Sequence, residues 1–230
     1  MEQEKRYRHE LKYFIPYTEY LVLRNRLKLV MKPDPHTGPD GTYQIRSIYF
    51  DNGDDKALRE KEAGLAKREK FRIRYYNDDF SFITLEKKMK VNDLCLKYDA
   101  PITENECRRI LKGDTAFMRE HPEALCRELY AKMNYQRLRP RILVSYLREP
   151  YICKPGNVRI TFDSQIRTSL FDMNFLNEKV SDISATDTPT DMLIEIKYDE
   201  FIPGIIQDMI VLPGLRQQAF SKYVTCRRYG

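Results

Sequence analysis

No tryptophan occurs in these 230 residues, histidine occurs three times, and no apolar run approaches the roughly 18 residues that a membrane-spanning helix needs. His9, His36 and His121 are too few and too scattered for a histidine metal cage or a Ser/His/Asp relay. The five cysteines, Cys95, Cys107, Cys126, Cys153 and Cys226, are odd in number and hold no Cys-x-x-Cys pair. They argue against a disulfide framework or a zinc ribbon and read as reduced, mostly buried thiols. Met1 to Arg8 is charged and lacks the apolar core of a secretory signal, so the expected compartment is the cytoplasm. Chemistry is left to carboxylates, lysines and arginines.

With 42% hydrophobic and 32% charged residues, the chain is expected to fold as one domain over 1–230, with no internal repeat or low-complexity tract. Lysine plus arginine exceeds aspartate plus glutamate by 40 to 34, a net +6 that suits an anionic partner. The basic residues mostly sit singly between apolar ones in strand-like runs. That placement, with tryptophan absent, argues against nucleic acid, whose binders gather positive charge on an exposed helix or tail.

Tyr7 to Pro16 reads as a strand ended by proline, followed by a helix carrying Leu23, Leu27 and Val30 with Thr18 as its N-cap. Met31 to Gly41, with three prolines and two glycines, continues neither. Strands are predicted over Thr42 to Asp51, Arg68 to Tyr76, Phe80 to Lys90 and Leu94 to Ile102. A short helix, Asp54 to Glu62, follows the first of these, and a tight Asn77-Asp78-Asp79 turn joins the second and third. Thr103 to Glu106 has capping-box character, and Pro122 suits the first turn of a helix reaching Met133. Strands return at Arg139 to Tyr151, Asn157 to Ser169 and Met192 to Asp199. Asn177 to Pro189 reads as a mobile loop, Pro203-Gly204 and Pro213-Gly214 as punctuation, and Gln218 to Arg227 as a closing helix. About eight strands that do not alternate strictly with helices indicate α+β, with an antiparallel sheet large enough to curl into a barrel.

Strand side chains alternate between faces, so Lys70, Arg72 and Arg74 share one face opposite Phe71, Ile73 and Tyr75. The same pattern sets Glu10 and Lys12 opposite Leu11 and Tyr13, and Glu195 and Lys197 opposite Ile194 and Ile196. It sets Glu86, Lys88 and Lys90 opposite Leu85 and Met89, with Lys87 interrupting the apolar side. Arg159, Asp163 and Arg167 lie opposite Ile160, Phe162 and Ile166. Arg148 is out of phase with Arg139 and Arg141, which requires either a bulge or opposite facing. The charged faces either meet bulk water on a half-solvated sheet or turn inward in a barrel covered by helices. Like charges about 7 Å apart along one strand favour the second reading, since an anion in the lumen or facing carboxylates would compensate them. Tyr49, Phe50 and Tyr146 read as packing rather than ligand contacts. Glu10 and Glu86 read as charge-balancing partners before metal ligands.

Several short pieces resemble the VTC (vacuolar transporter chaperone) domain, the polyphosphate polymerase branch of the triphosphate tunnel, or CYTH-like, fold. They are Glu10-Leu11-Lys12, Ser47 to Asp51, Lys70-x-Arg72-x-Arg74-Tyr75, Glu86-x-Lys88, and Arg139-Pro140-Arg141 with Tyr146-x-Arg148. Further along come Val158-Arg159-Ile160 with Asp163, Glu195-Ile196-Lys197 and Phe220-Ser221-Lys222. The resemblance implies an antiparallel β tunnel with helices outside, a divalent-metal-dependent phosphotransferase that moves the terminal phosphate of ATP or another nucleoside triphosphate onto inorganic polyphosphate. It implies catalytic roles for Lys12, Arg72, Arg74 and Lys88, phosphate contacts from Arg148, Arg159, Lys197 and Lys222, with Lys70 and Lys97 as additions, and Mn²⁺ or Mg²⁺ on Glu195. The tunnel triphosphatases open with Glu-x-Glu-x-Lys, whereas Arg8 stands here in place of the first glutamate. Fewer carboxylates hold fewer metals and activate water less, which favours transfer or plain binding over hydrolysis. A tunnel triphosphatase and a non-catalytic polyanion-binding module remain the alternatives. Neither a sensing domain nor membrane helices accompany the segment, so a role at the inner face of a membrane would need a separate membrane protein partner.

Overall fold

A computed structural model of the chain describes residues 8–92, 94–169, 174–177, 180–185, 192–211 and 220–229. The elements begin with β1 (His9–Ile15), α1 (Tyr17–Val30), β2 (Lys32–Pro33), β3 (Tyr43–Asp51) and α2 (Lys56–Glu62). The meander β4 (Lys67–Tyr76), β5 (Asp79–Val91) and β6 (Leu94–Ile102) leads to α3 (Glu104–Leu111), a 3-10 turn at Ala116–Glu120 and α4 (Ala124–Tyr135). Then come β7 (Arg139–Cys153), a 3-10 turn at Pro155–Asn157, β8 (Val158–Ser169), β9 (Ile183–Ser184), β10 (Met192–Tyr198), α5 (Gly204–Ile210) and α6 (Lys222–Tyr229).

The strands form one antiparallel sheet in the order β1-β10-β8-β7-β3-β4-β5-β6, with β2 on β7 and β9 on β8. The sheet curls until its edges meet at a single bridge, where Arg8 and Cys95 exchange backbone hydrogen bonds of 3.3 Å. No continuous ladder closes it among the described residues. At the β4–β5 turn Asn77 and Asp78 both have positive φ, 49° and 53°, the primed geometry whose twist matches the strands it joins.

Strand alternation sorts the core. On the outer face, Phe71, Ile73 and Leu85 pack under α3 and α4 through Cys107, Ile110, Leu129 and Met133. Phe162, Ile194 and Ile196 pack under α1 and α5 through Leu23, Leu27 and Ile206. The inner face carries its own apolar cluster, in which Tyr43, Ile45, Val144 and Ile166 meet Tyr223 and Cys226 of α6. Thus α1, α3 and α4 cover the outside as expected, α5 joins them there, and α6 packs on the inner face, against the expectation that the helices lie outside. A capping box at Thr103 and Glu106 starts α3, also as expected.

Several local expectations are corrected. Pro16, not Thr18, is the N-cap of α1, and its carbonyl accepts from the Tyr20 amide at 3.1 Å. Pro122 lies ahead of Glu123, the N-cap of α4. Two residues of the proline-rich segment pair with β7, and two within Asn177–Pro189 pair with β8, in which 178–179 and 186–189 lie outside the described residues. Pro203 is the N-cap of α5, so Pro203-Gly204 opens a helix. The closing helix begins at Lys222; Pro213-Gly214 and Gln218 lie outside the described residues. In β8 the pairing steps from Arg167 to Ser164 while β7 steps from Ser145 to Leu147, a bulge at Gln165 with φ 50°. That extra residue reverses the phase, turning Ile166 inward and leaving Arg167 exposed on Asp182. A second bulge leaves Arg141 between Pro140 and Ile142 opposite consecutive residues of β3, which accounts for the phase of Arg148.

Candidate functional site

The inner face opens into a cavity of about 490 Å³, eleven of whose lining side chains are lysines or arginines and three glutamates. Adjacent strands supply them because each strand contributes every second residue. β1 brings Glu10 and Lys12, β4 Arg68 to Arg74, β5 Lys88 and Lys90, β7 Arg148, and β10 Glu195 and Lys197. α6 adds Lys222, and α2 adds Lys61. Two carboxylates seat these helices and the far cations. Asp51 accepts from the Ala57 amide at 3.0 Å and from the Tyr223 hydroxyl, tying α2 to α6. Asp163, fully buried, takes both arms of Arg148 at 2.7 Å and the Lys222 ammonium at 2.5 Å.

Around Glu195 four cations share one carboxylate. Its carboxylate lies 3.0 Å from Lys12, 3.1 Å from Arg148, 3.0 Å from Lys197 and 3.7 Å from Lys222. Burial opposes ionisation, but these cations prevail and hold the Glu195 carboxyl well below its usual range. Glu10, 2.6 Å from Lys88, 3.7 Å from Lys12 and 3.8 Å from Lys197, is lowered in the same way against its burial. Burial dominates at Lys197, and although Glu195 opposes it, the ammonium is depressed to about 8.

Toward β4 the balance is looser. Arg72 pairs with Glu86 through Nε at 2.6 Å. Arg74 donates to neutral oxygens, Ser47 Oγ at 3.0 Å and the Tyr146 hydroxyl at 2.9 Å, and its ion pair with Glu86 is 3.9 Å long. Lys70 has no carboxylate partner among the described residues; its ammonium lies 3.5 Å from Ser221 Oγ. Burial, reinforced by Lys88, Lys12 and Arg72, pushes Lys70 well below the ordinary lysine value.

Of the residues singled out in the sequence, Lys12, Lys70, Arg72, Arg74, Lys88, Arg148, Glu195, Lys197 and Lys222 line the cavity. Two do not. Arg159 lies beside Lys197 in the register, but its guanidinium turns to Asp34 and the Tyr43 hydroxyl, both at 2.7 Å. Lys97 is half exposed and reaches Glu86 at 2.9 Å from outside the lining. Glu10 pairs with Lys88 and Glu86 with Arg72, both at 2.6 Å, and Arg8, in place of the missing glutamate, pairs with Asp199 at 2.9 Å. Phe50 packs in the outer core, and Tyr49 and Tyr146, expected as packing, are buried in the inner apolar cluster and line the cavity as well. Sequence reasoning also missed Lys61, Arg68 and Lys90 as site residues. Arg68 and Lys90 share the phase of Lys70 and Lys88 and could have been found; Lys61 enters only because α2 folds over the inner face.

Among the described residues, no three His, Cys, Asp or Glu side chains converge as a metal site. Glu10 and Glu195, bridged by Lys12 and Lys197, are the carboxylates that face the cavity together. Two carboxylates suit a Mg²⁺- or Mn²⁺-like ion only when phosphate oxygens supply further ligands.

No helix among the described residues is long and apolar enough to cross a membrane. No curated protein matches the chain. Among solved structures, the Hippeastrum protein HpAC1, for which a dominant triphosphatase activity is described, superposes with a TM-score of 0.59 at 12% identity, covering 97% of this chain and 96% of that one. PH1819 from Pyrococcus horikoshii OT3 gives 0.51 at 13% identity, over 97% and 100% of the two chains. These likenesses establish the fold, that of the triphosphate tunnel or CYTH-like proteins. The VTC domain model matches residues 7–229, the same span over which the curled sheet gathers its cations, and the chain belongs to the VTC domain family.

Proposed function

We propose that this chain is a divalent-metal-dependent phosphotransferase that moves the terminal phosphate of ATP or another nucleoside triphosphate onto a growing inorganic polyphosphate chain. The observation that carries the reading is the surplus of cations over carboxylates in the cavity, with Arg74 held by neutral oxygens and Lys70 lacking a carboxylate partner among the described residues. Such a surplus stabilises a ligand with a charge on every phosphate, and arginine forks fit phosphate oxygens in pairs.

The nucleophile is an oxygen of the acceptor's terminal phosphate, so the protein's task is alignment and charge neutralisation. Arg72, Arg74 and Lys70 hold the transferring phosphates, while Lys12, Lys88, Arg148, Lys197 and Lys222 exchange part of their pairing with Glu10, Asp163 and Glu195 for phosphate oxygens. Glu195 and Glu10 would hold the metal ion, which would supply charge neutralisation to the phosphates. With Arg8 turned to Asp199, the β1 end presents one carboxylate rather than two, which disfavours water activation. The chain works in the cytoplasm, and a separate membrane protein would couple synthesis to translocation.

The test is incubation of the purified protein with ATP, Mn²⁺ and a short phosphate primer. Chain growth on a gel with matching release of ADP is expected. Release of inorganic phosphate without growth would establish a triphosphatase instead, and primer binding without turnover a polyanion-binding module.

A further inference from the structure

We propose that Tyr49 and Tyr146 are positioning residues whose hydroxyls aim the Arg72 and Arg74 guanidiniums at a triphosphate or polyphosphate ligand; this rests on the anion-binding part of the reading above. Both lie on the inner face of neighbouring strands, with Ile45 of β3 paired to Tyr146 of β7, and both line the cavity. Each hydroxyl oxygen accepts one bond from a guanidinium, from Arg72 Nη1 to Tyr49 at 2.8 Å and from Arg74 Nη2 to Tyr146 at 2.9 Å.

Each guanidinium has a second anchor at Nε, Glu86 for Arg72 at 2.6 Å and Ser47 for Arg74 at 3.0 Å. A planar group pinned at two or more points cannot rotate about its stem, which fixes the directions of its remaining N–H donors; Arg72 is also held by Glu86 through Nη2. The rings add to this. Lys70 and Arg72 lie 5.7 and 5.6 Å from the Tyr49 centroid, and Arg148 and Lys222 lie 5.3 and 4.6 Å from that of Tyr146, all within cation–π reach. Two phenols therefore space five cations that would otherwise repel one another.

A neutral hydroxyl suits this task better than a carboxylate. It orients the arginine without cancelling the positive charge that phosphate requires, and nothing has to be displaced when the ligand enters. The cations in turn act on Tyr49: Arg72, Arg74 and Lys222 outweigh burial and draw its phenol below the ordinary tyrosine value.

The test is a double-mutant cycle read by calorimetry with tripolyphosphate at low salt. Tyr146→Phe is expected to weaken binding about 10-fold and Tyr49→Phe less, because Arg72 keeps Glu86. Neither change should alter the slope of affinity against salt, since no charge is removed, whereas Arg74→Ala should lower it. In an Arg74→Ala background, Tyr146→Phe should cost nothing further. Wild-type affinity for Tyr146→Phe, or an equal loss in both backgrounds, overturns the proposal. A wild-type protein that does not bind tripolyphosphate overturns it together with the anion-binding reading. One that binds but extends no primer removes only the transferase reading, and the cycle still decides the role of the tyrosines.

Discussion

The two sides of the cavity carry similar charges and handle them differently. On the β1–β10–β8 side, Glu195 and Asp163 sit among Lys12, Arg148, Lys197 and Lys222 at 2.5–3.7 Å, so each cation has an internal carboxylate. On the β4–β5 side, Arg74 rests on hydroxyls and Lys70 is depressed by its burial and by neighbouring cations. A matched network gains stability and releases its cations reluctantly; an unmatched one carries repulsion that an anion relieves. On the proposed function, the folded state is therefore a scaffold on one side and a receptor on the other.

The largest expected effect comes from the receptor side. Arg72→Ala with Arg74→Ala should weaken tripolyphosphate binding about 10³-fold, two charge-assisted contacts at about 1.5–3 kcal/mol each, measured by calorimetry. The singles should separate in thermal melts. Arg74→Ala should lower Tm only slightly, because it removes hydrogen bonds to Ser47 and Tyr146 together with a like charge beside Arg72, while Arg72→Ala should lower it more by stripping a close partner from buried Glu86.

Next comes the matched side. Glu195→Gln should reduce metal-dependent chain growth by at least about 10²-fold, while metal-free polyphosphate binding persists or tightens as four cations lose their shared carboxylate. Full activity in that variant would make Glu195 a charge-balancing residue and direct the search for a metal ligand to Glu10.

A smaller effect should appear with Lys61, Arg68 and Lys90 changed together to alanine. Long polyphosphate should lose about 10-fold in affinity by competition binding, with tripolyphosphate nearly unaffected, since these cations extend the lining beyond Lys70 and Lys88. The smallest effect is in pH. Below about 8 Lys197 is protonated in both the free and the bound protein, so its contribution is constant. Above that value the free protein loses the proton, binding must take one up, and affinity should fall a few-fold; Lys70, depressed in the same direction, adds to the trend. Calorimetry in buffers of different ionisation enthalpy would detect the proton uptake, and Lys197→Arg should reduce it.

Which residues share a face was legible in the sequence, because strand alternation is a local property of the backbone: Lys70, Arg72 and Arg74 against Phe71, Ile73 and Tyr75, or Glu195 and Lys197 against Ile194 and Ile196, needed no partner strand to be read. The curled antiparallel sheet and most of the cavity cations and carboxylates followed from that alternation and from the family resemblance. What each charged group faces was decided by tertiary structure alone. One extra residue at Gln165 reversed the phase of β8, Asp34 drew Arg159 away from the cavity, and α2 and α6 brought Lys61 and Tyr223 onto the inner face. The direction of a long side chain depends on the charges that neighbouring strands place around it, and those strands are distant in sequence: Lys12 meets Glu195, and Arg74 meets Tyr146, only once the sheet has curled.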